Sequence, residues 1–313
     1  MNIFEGFECI TDIKNPVLTI GTFDGVHLGH QKIIQQLSKV ANEIDGSSVL
    51  FTFYPHPKMV LFPTNHGVKL IQTQSEKLKK LEQLGLQNII IQPFTKDFSN
   101  LTAEEFVRDF LVAKLKIRKL IVGYDHQFGK NREGNFQFLL KASKIYNFEV
   151  VEICAQEIDE VNVSSTKIRH ALTIGDIKTA NSYLGEEFEL TGIVAKGNQL
   201  GRTIGFPTAN IEIEEVKIIP HKGVYAVEVT LENLSTYIGM LNIGVRPTLG
   251  NENMLSIEVN VFDFDEDIYD QTISIRIWER IRDEQKFNSL EELKLQLQKD
   301  ETTSRAILSS VRV

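Results

Sequence analysis

Cysteine is almost missing from this chain: two of 313 residues, Cys9 and Cys154, in no C-x-x-C spacing. That excludes a zinc framework or a disulfide scaffold, and it fits a reducing cytoplasm. We read both thiols as buried and unpaired rather than as nucleophiles. Long apolar runs are lacking too. No stretch approaches the ~18 uninterrupted apolar residues of a membrane span, and "MNIFEGFECITDIKNP" has neither the basic start nor the apolar core of a signal peptide. Positive charge is in deficit, with 34 Lys and Arg against 42 Asp and Glu and a formal net charge of −8. The basic residues are interspersed with acids, as in "KDFSNLTAEEF" and "RIRDEQK", so no stripe exists to neutralise a polynucleotide backbone. Internal repeats, low-complexity tracts and the Walker pattern GxxxxGK[ST] are all absent. What is left is a soluble globular composition, 42% hydrophobic and 24% charged, long enough for two domains. Its expected partners are small molecules, not nucleic acid or membrane, and the chain is expected to act as a monomer or weak homo-oligomer.

Two grammars divide the chain. In the first half, buried-strand patterns ("NPVLTIG" 15–21, "SSVLFTFYP" 47–55, "QNIIIQPF" 87–94, "RKLIVGYD" 118–125, "FEVVEIC" 148–154) alternate with helical ones (30–44, 74–85, 102–115, 134–147). Ser75 and Thr102 read as N-caps and Gly85 as a C-terminal glycine. Such alternation predicts a parallel sheet with helices on both faces, which binds ligands at the carboxyl ends of its strands. From about residue 187 the pattern turns to period-two alternation in five stretches, 187–197, 223–233, 235–244, 255–264 and 271–281, which predicts an antiparallel barrel or sandwich. A helix over 289–308 follows, with Ser289 and Glu292 as a capping box. Residues 164–185 are expected to form short helices that close the first domain, placing the boundary near 186.

The stretch "TIGTFDGVHLGHQKII" (19–34) breaks a strand into a Gly-rich turn and opens a helix with His27 and His30 three apart. A turn of this kind offers unpaired backbone N–H groups and the positive end of a helix dipole, a natural seat for phosphate. Gly21, Gly25 and Gly29 permit close approach, and the two imidazoles add donors that suit nucleotidyl transfer. The plain alternative is a capped helix with surface histidines. "VSSTKIR" (163–169) supplies further hydroxyls and cations at a second helix start.

"KGNQLGRTIGFPTANI" (196–211) surrounds a short basic element with Gly197, Gly201 and Gly205 before Pro207-Thr208-Ala209-Asn210. Thr208 and Asn210, two apart on an extended strand, face one side. A hydroxyl and an amide oxygen are hard ligands that suit Mg²⁺ shared with nucleotide phosphates. Glu258 interrupts an apolar-looking strand in "SIEVNVFDF". It reads either as an outward-facing acid or as the carboxylate that takes a proton from a primary alcohol during phosphorylation.

GxFDGxHxGH with a downstream SSTxIR resembles the adenylyltransferase module of bacterial riboflavin kinase/FAD synthetases, within the HxGH nucleotidyltransferases. "GYDHQFGKNREGN" (123–135) resembles that family's loop between the two signatures. PTAN, "GVY" (223–225), "NIGVRPT" (242–248), the Glu258 strand and "RDEQKF" (282–287) follow in the order of its riboflavin kinase module. The resemblance implies a Rossmann-like α/β domain over 1–186 and a six-stranded antiparallel barrel with a terminal helix over 187–313. It implies a cytoplasmic enzyme that phosphorylates riboflavin to FMN with ATP and Mg²⁺, then adenylates FMN to FAD with release of pyrophosphate. His27 and His30 would touch the ATP phosphates, with Gly21, Thr22, Phe23, Gly29, Ser164, Ser165, Thr166 and Arg169 completing that site. Asp125 and Phe128 would lie near the flavin, Phe128 being equally readable as core. In the second module Glu258 would be the general base. Gly201, Thr208 and Asn210 would hold the nucleotide, the last two also the magnesium, while Arg282 and Phe287 contact the isoalloxazine.

Four positions depart from common family choices: Thr22 where Asn is frequent, Tyr54 where an acid precedes Pro-His-Pro, His126 in place of an aromatic, and Asn260 in place of His. They keep open an alternative in which the chain is a riboflavin kinase whose first domain is weak, dependent on reduced flavin, or silent.

Overall fold

The protein is described here by a computed structural model covering residues 1–63, 67–123, 126–153, 163–196, 201, 204–247 and 253–310. Asp125, Cys154, Gly197, Arg202, Thr203 and Thr248 lie outside the described residues. The chain divides into two compact units, Met1–Lys69 with Gln74–Ser164, and Leu70–Thr73 with Ser165–Val313.

The first unit is a six-stranded sheet in the order β1-β4-β3-β2-β5-β6, parallel throughout. Its strands are β1 (Asn2–Glu5), β2 (Pro16–Ile20), β3 (Ser47–Tyr54), β4 (Asn88–Pro93), β5 (Lys119–Gly123) and β6 (Glu149–Ile153). Five of these are the predicted apolar runs; β1, a four-residue edge strand, was too short to show a pattern. The helices are α1 (Leu28–Glu43), α2 (Pro57–Leu61), α3 (Gln74–Gln83), α4 (Lys96–Ser99), α5 (Ala103–Glu105) and α6 (Phe136–Tyr146). Alternate residues of each strand feed two separate cores, as both faces of a covered parallel sheet require. Leu18, Ile20, Phe51, Ile90 and Leu120 join one, and Val17, Leu50, Ile89 and Ile121 join the other.

Several details correct the sequence reading. α1 starts at Leu28 with His27 itself as N-cap, its Nδ1 accepting from the His30 backbone N–H at 3.3 Å. α3 begins at Gln74, two residues before a cap at Ser75 would allow. Thr102 does cap α5, in a full capping box with Glu105, but the helix then widens into a π-helical turn over Phe106–Lys114. Phe106 and Phe110 there stack with ring centroids 6.1 Å apart, inside a cluster with Phe7 and Phe98. Cys9 is exposed rather than buried, because Phe7 is the residue that its 3₁₀ turn turns inward.

The second unit opens with two helices, α7 (Ser165–Ile174) and α8 (Ile177–Leu184). They pack with the barrel: Asn181 donates to the carbonyl of Ile277 and accepts from the N–H of Phe188. The compact units part between Ser164 and Ser165. Six strands close into an antiparallel barrel of order β10-β11-β8-β7-β12-β9. They are β7 (Phe188–Ala195), β8 (Ala209–Ile213), β9 (Gly223–Thr230), β10 (Thr236–Pro247), β11 (Asn253–Val261) and β12 (Thr272–Arg282). The strand missing from the period-two inventory is β8, which carries Asn210. The short segment Leu70–Thr73 adds to this unit through Leu70, whose N–H donates to Val216 O and whose carbonyl accepts from Ile218 N–H.

The terminal helix α9 (Leu290–Ser309) is capped by Ser289 as predicted and packs on β9, β10 and β12. Its seat is electrostatic. Arg282, at the end of β12, grips both carboxylate oxygens of Asp300 at 2.7–3.0 Å, and Gln296 donates to the same group. Asp300 is 1% exposed. Removing one member of a buried, doubly bonded pair strands the other charge and typically costs about 3–5 kcal/mol. Asp300→Ala should therefore lower the unfolding free energy by about 3 kcal/mol or more in urea titrations, and a loss under about 1 kcal/mol would refute the assignment.

Candidate active sites

In a parallel sheet the crevice forms where neighbouring connections leave in opposite directions. Here that strand is β2, with β3 on one side and β5 on the other. Its carboxyl end delivers the turn Gly21–His27. A Cβ on Gly21 would meet the Phe23 ring at 2.9 Å, and Phe23 and Val26 both take positive φ (49° and 32°). A strained backbone of this kind persists only where its surroundings over-determine it. Phe23 stacks on His30 (4.5 Å), and His30 stacks on His27 with centroids 3.7 Å apart at 15°.

Both histidines are neutral at pH 7. Burial holds His27 down to about 4, and pushes His30 well below its ordinary 6.5, helped by the Lys77 charge and by the positive charge His27 would carry in acid. Since Nδ1 of His27 accepts a backbone N–H, its proton sits on Nε2, which is thereby a donor. Nδ1 of His30 is buried without a hydrogen-bond partner among the described residues. The site also holds two groups that the sequence reading missed. Asp24 is 5% exposed and Lys77, from α3, is 6% exposed. Lys77 Nζ lies 3.5 Å from the Thr22 carbonyl and 3.4 Å from Thr52 Oγ1, and Thr52 donates to the same carbonyl at 3.2 Å. Thr22 thus serves through its backbone, which makes its difference from Asn of little consequence for this network. Gly29 is buried in the first turn of α1.

Ser164 precedes α7, and Ser165, Thr166 and Arg169 lie in its first turns, within the second unit. Phe128 is half-buried against Phe106 and Phe138, at 5.6 and 6.1 Å, and is thus part of the aromatic core wall. His126 stacks on it at 5.8 Å and 25°, as an aromatic residue there would.

In the barrel, a cavity of about 420 Å³ is lined by Gly201, Phe206, Thr208, Glu258, Arg282 and Phe287, among others. It brings together five of the six residues predicted for this module. Asn210, the sixth, is the direct partner of Glu258 across β8 and β11. Glu258 is no outward-facing acid. Its Oε2 accepts from Thr208 Oγ1 at 3.1 Å and its Oε1 from Ser256 Oγ at 2.8 Å, and Asn242 lies opposite on β10. Asn260, two residues on, donates to the Pro207 carbonyl and so anchors the segment that carries Thr208. A Cβ on Gly201 would fall 2.1 Å from the Phe206 carbonyl, which only glycine avoids. Arg282 is committed to Asp300 and stands 5.9 Å above the Phe287 ring, forming a flat wall rather than a free charge. A second cavity of about 420 Å³ shares Thr208 and continues along Asp265, Glu266, Asp267 and Tyr269. Sequence reasoning passed over this loop, which falls between two strand patterns.

Comparison with known proteins finds two families along the chain. A family model described as FAD synthetase matches residues 9–167, and one described as riboflavin kinase matches residues 184–308. The chain belongs to the bifunctional riboflavin kinase/FMN adenylyltransferase family. A protein of that description from Listeria monocytogenes is 40% identical over 301 residues, covering 96% of this chain and 95% of its own. One from Haemophilus influenzae is 39% identical over 298 residues, covering 95% and 96%. A crystal structure described as a macrolide-efflux protein from Streptococcus pneumoniae superposes with a TM-score of 0.87 at 31% identity, over 97% of this chain and 98% of that one. Among the described residues of the present chain, no helix is long and apolar enough to cross a membrane.

The neutral histidines make stability depend on acid in a defined sense. Between pH 6.5 and about 4 the unfolded chain takes up a proton that folded His27 refuses, so stability falls as pH drops through that window. The loss from this one group is on the order of 3 kcal/mol. In NMR titrations the His27 ring should remain neutral at pH 5; a midpoint near 6.5 would contradict the buried, capped geometry.

Proposed function

We propose that the chain makes both flavin cofactors, phosphorylating riboflavin with ATP in its barrel and adenylating FMN in its parallel-sheet domain. The observation that carries the first half is the Thr208–Glu258–Ser256 contact inside a cavity of ring-system size. Glu258 accepts the proton of the flavin 5′-hydroxyl as its oxygen bonds to the γ-phosphorus and ADP leaves with the electron pair of the broken bond. The flavin ring fits the Glu258 cavity between Phe206, Phe287 and the leucines of α9. The nucleoside fits the second cavity, whose acids accept from amino and hydroxyl donors but repel phosphate, so the phosphates must point back toward Thr208. Thr208 and Asn210 supply hard oxygen donors beside a carboxylate, a set suited to Mg²⁺ held jointly with phosphates and water. No group of three His, Cys, Asp or Glu that could hold a metal by itself occurs among the described residues. When bound, the metal would screen phosphate charge.

For the second half, the turn after β2 offers helix N-terminal amides and the His27 Nε2–H to the phosphates of ATP. Two of the three departures in the first domain are absorbed by the geometry, since Thr22 acts through its carbonyl and His126 stacks, and in the barrel Asn260 anchors Pro207. That favours two working sites over one silent domain. A requirement for ATP as donor supports a cytoplasmic setting.

Incubation of the full chain with riboflavin, ATP and Mg²⁺, followed by chromatographic separation of flavins, should yield FMN and then FAD. Glu258→Ala should abolish FMN formation while leaving FAD formation from added FMN. His27→Ala/His30→Ala should do the reverse. Loss of both activities in either variant would contradict separate sites, and absence of any flavin phosphate from the unaltered chain would refute the assignment.

A further inference from the structure

Adenylyl transfer brings two anionic phosphates together, yet the histidines at the turn are uncharged at neutral pH. Neutral imidazoles donate hydrogen bonds and contribute no net charge. The cation placed beside them is Lys77.

Its surroundings do not suit a merely structural ammonium. Lys77 lies in the first turn of α3, where the helix dipole is itself positive. It is almost fully buried, and its acceptors, the Thr22 carbonyl and the Thr52 hydroxyl, are neutral and stand at the long limit of hydrogen bonding, 3.5 and 3.4 Å. Asp24 attracts it from the same turn. A fold that retains a buried charge so weakly satisfied loses stability by doing so, and replacement by an apolar side chain of similar volume is commonly neutral or stabilising. Groups of this kind cluster at functional sites. At the same place Nδ1 of His30 is buried with no protein partner among the described residues.

We propose that Lys77 is the phosphate-neutralising cation of the adenylyl-transfer site. It contacts the phosphate seated at the Gly21–His30 turn while an oxygen of the flavin phosphate bonds to the α-phosphorus and pyrophosphate leaves with the electron pair of the broken P–O bond. This rests on the adenylyl-transfer assignment of that turn. Neither the HxGH pattern nor its neighbours pointed to Lys77, which comes from a helix some fifty residues downstream and is brought in by the packing of α3.

The charged and titratable groups that act on or are acted on by Lys77 are Asp24 on the turn and His30 on α1, which in turn stacks on His27; Glu76, also buried, is its neighbour in the chain. Burial draws Lys77 down to about 8. The ammonium is lost as pH rises through that value, whereas the two histidines change charge only in acid.

The test uses the full chain and its Lys77→Met and Lys77→Arg variants, measuring FAD formation from FMN and ATP across pH, with riboflavin phosphorylation and thermal unfolding as controls. Removal of one preorganised charge or donor at a reacting phosphate typically costs about 100-fold or more in rate. Lys77→Met should therefore lose at least about 100-fold in FAD formation, with an unchanged or raised unfolding midpoint and intact riboflavin phosphorylation. In the unaltered chain, kcat/KM for ATP should fall as pH rises through about 8, and Lys77→Arg, permanently charged, should lose that limb. Lys77→Met activity within about threefold of the unaltered chain would overturn the proposal. So would a loss that tracks a lowered unfolding midpoint while Lys77→Arg keeps the limb, since that marks a structural role. His27→Ala/His30→Ala separates the two levels: if that variant still makes FAD, the assignment of the turn fails, whatever Lys77 does.

Discussion

The pairing of β2 on both sides is the constraint from which the first unit's chemistry follows. Five consecutive buried residues, Pro16–Ile20, are held in register with β3 and β5 at once. A strand fixed on both edges cannot slide, since a one-residue slip would carry every side chain to the opposite core. Its carboxyl end is therefore a rigid point in an otherwise adaptable surface. The strained Phe23 and Val26 conformations, the stacked imidazoles and the capped start of α1 all hang from that point.

The barrel reaches comparable rigidity by closure. With no free edge, β8 and β11 hold Asn210 against Glu258, and β10 holds Asn242 on the other side of the same carboxylate. Two amides flank the acid, a serine and a threonine hydroxyl satisfy its oxygens, and Asn260 fixes the loop that presents the threonine. The open wall is supplied by α9, and the Arg282–Asp300 pair that seats it uses up a charge that otherwise would face the cavity. The aromatic and apolar lining of that cavity is thus kept apolar by an ion pair behind it.

Much of this was legible in the chain. Strands β2 to β6 are short runs of Val, Ile, Leu and Phe bounded by turn residues, and the change to period two near residue 187 marks the barrel. Glycine spacing marked the turns around residues 21–29 and 197–205. What escaped had no local signature. β1 is four residues long, and β8 is a five-residue strand whose polar residues hide its alternation. Lys77 and Asp24 are ordinary charged letters in helical and turn contexts, and only packing reveals that they are buried. The same holds for Asp300, which lies on a helix rich in acids and is buried by its register with Arg282. Histidine protonation was equally invisible, because it depends on desolvation and not on residue type.

The second unit is discontinuous in sequence, and this bears on how such a chain can be taken apart or recombined. Leu70 completes a backbone pairing with Val216 and Ile218, next to Lys217, whose buried ammonium lies 4.7 Å from the Phe188 ring. A gene fragment beginning anywhere after Ser164 omits that partner and leaves one carbonyl and one amide of the barrel's own connection unmet. No single incision separates the halves. Because the bonds are main-chain ones, however, they do not read side chains. Halves taken from different relatives can share this clasp without co-adapted residues, so long as the chain from α2 to α3 keeps its length.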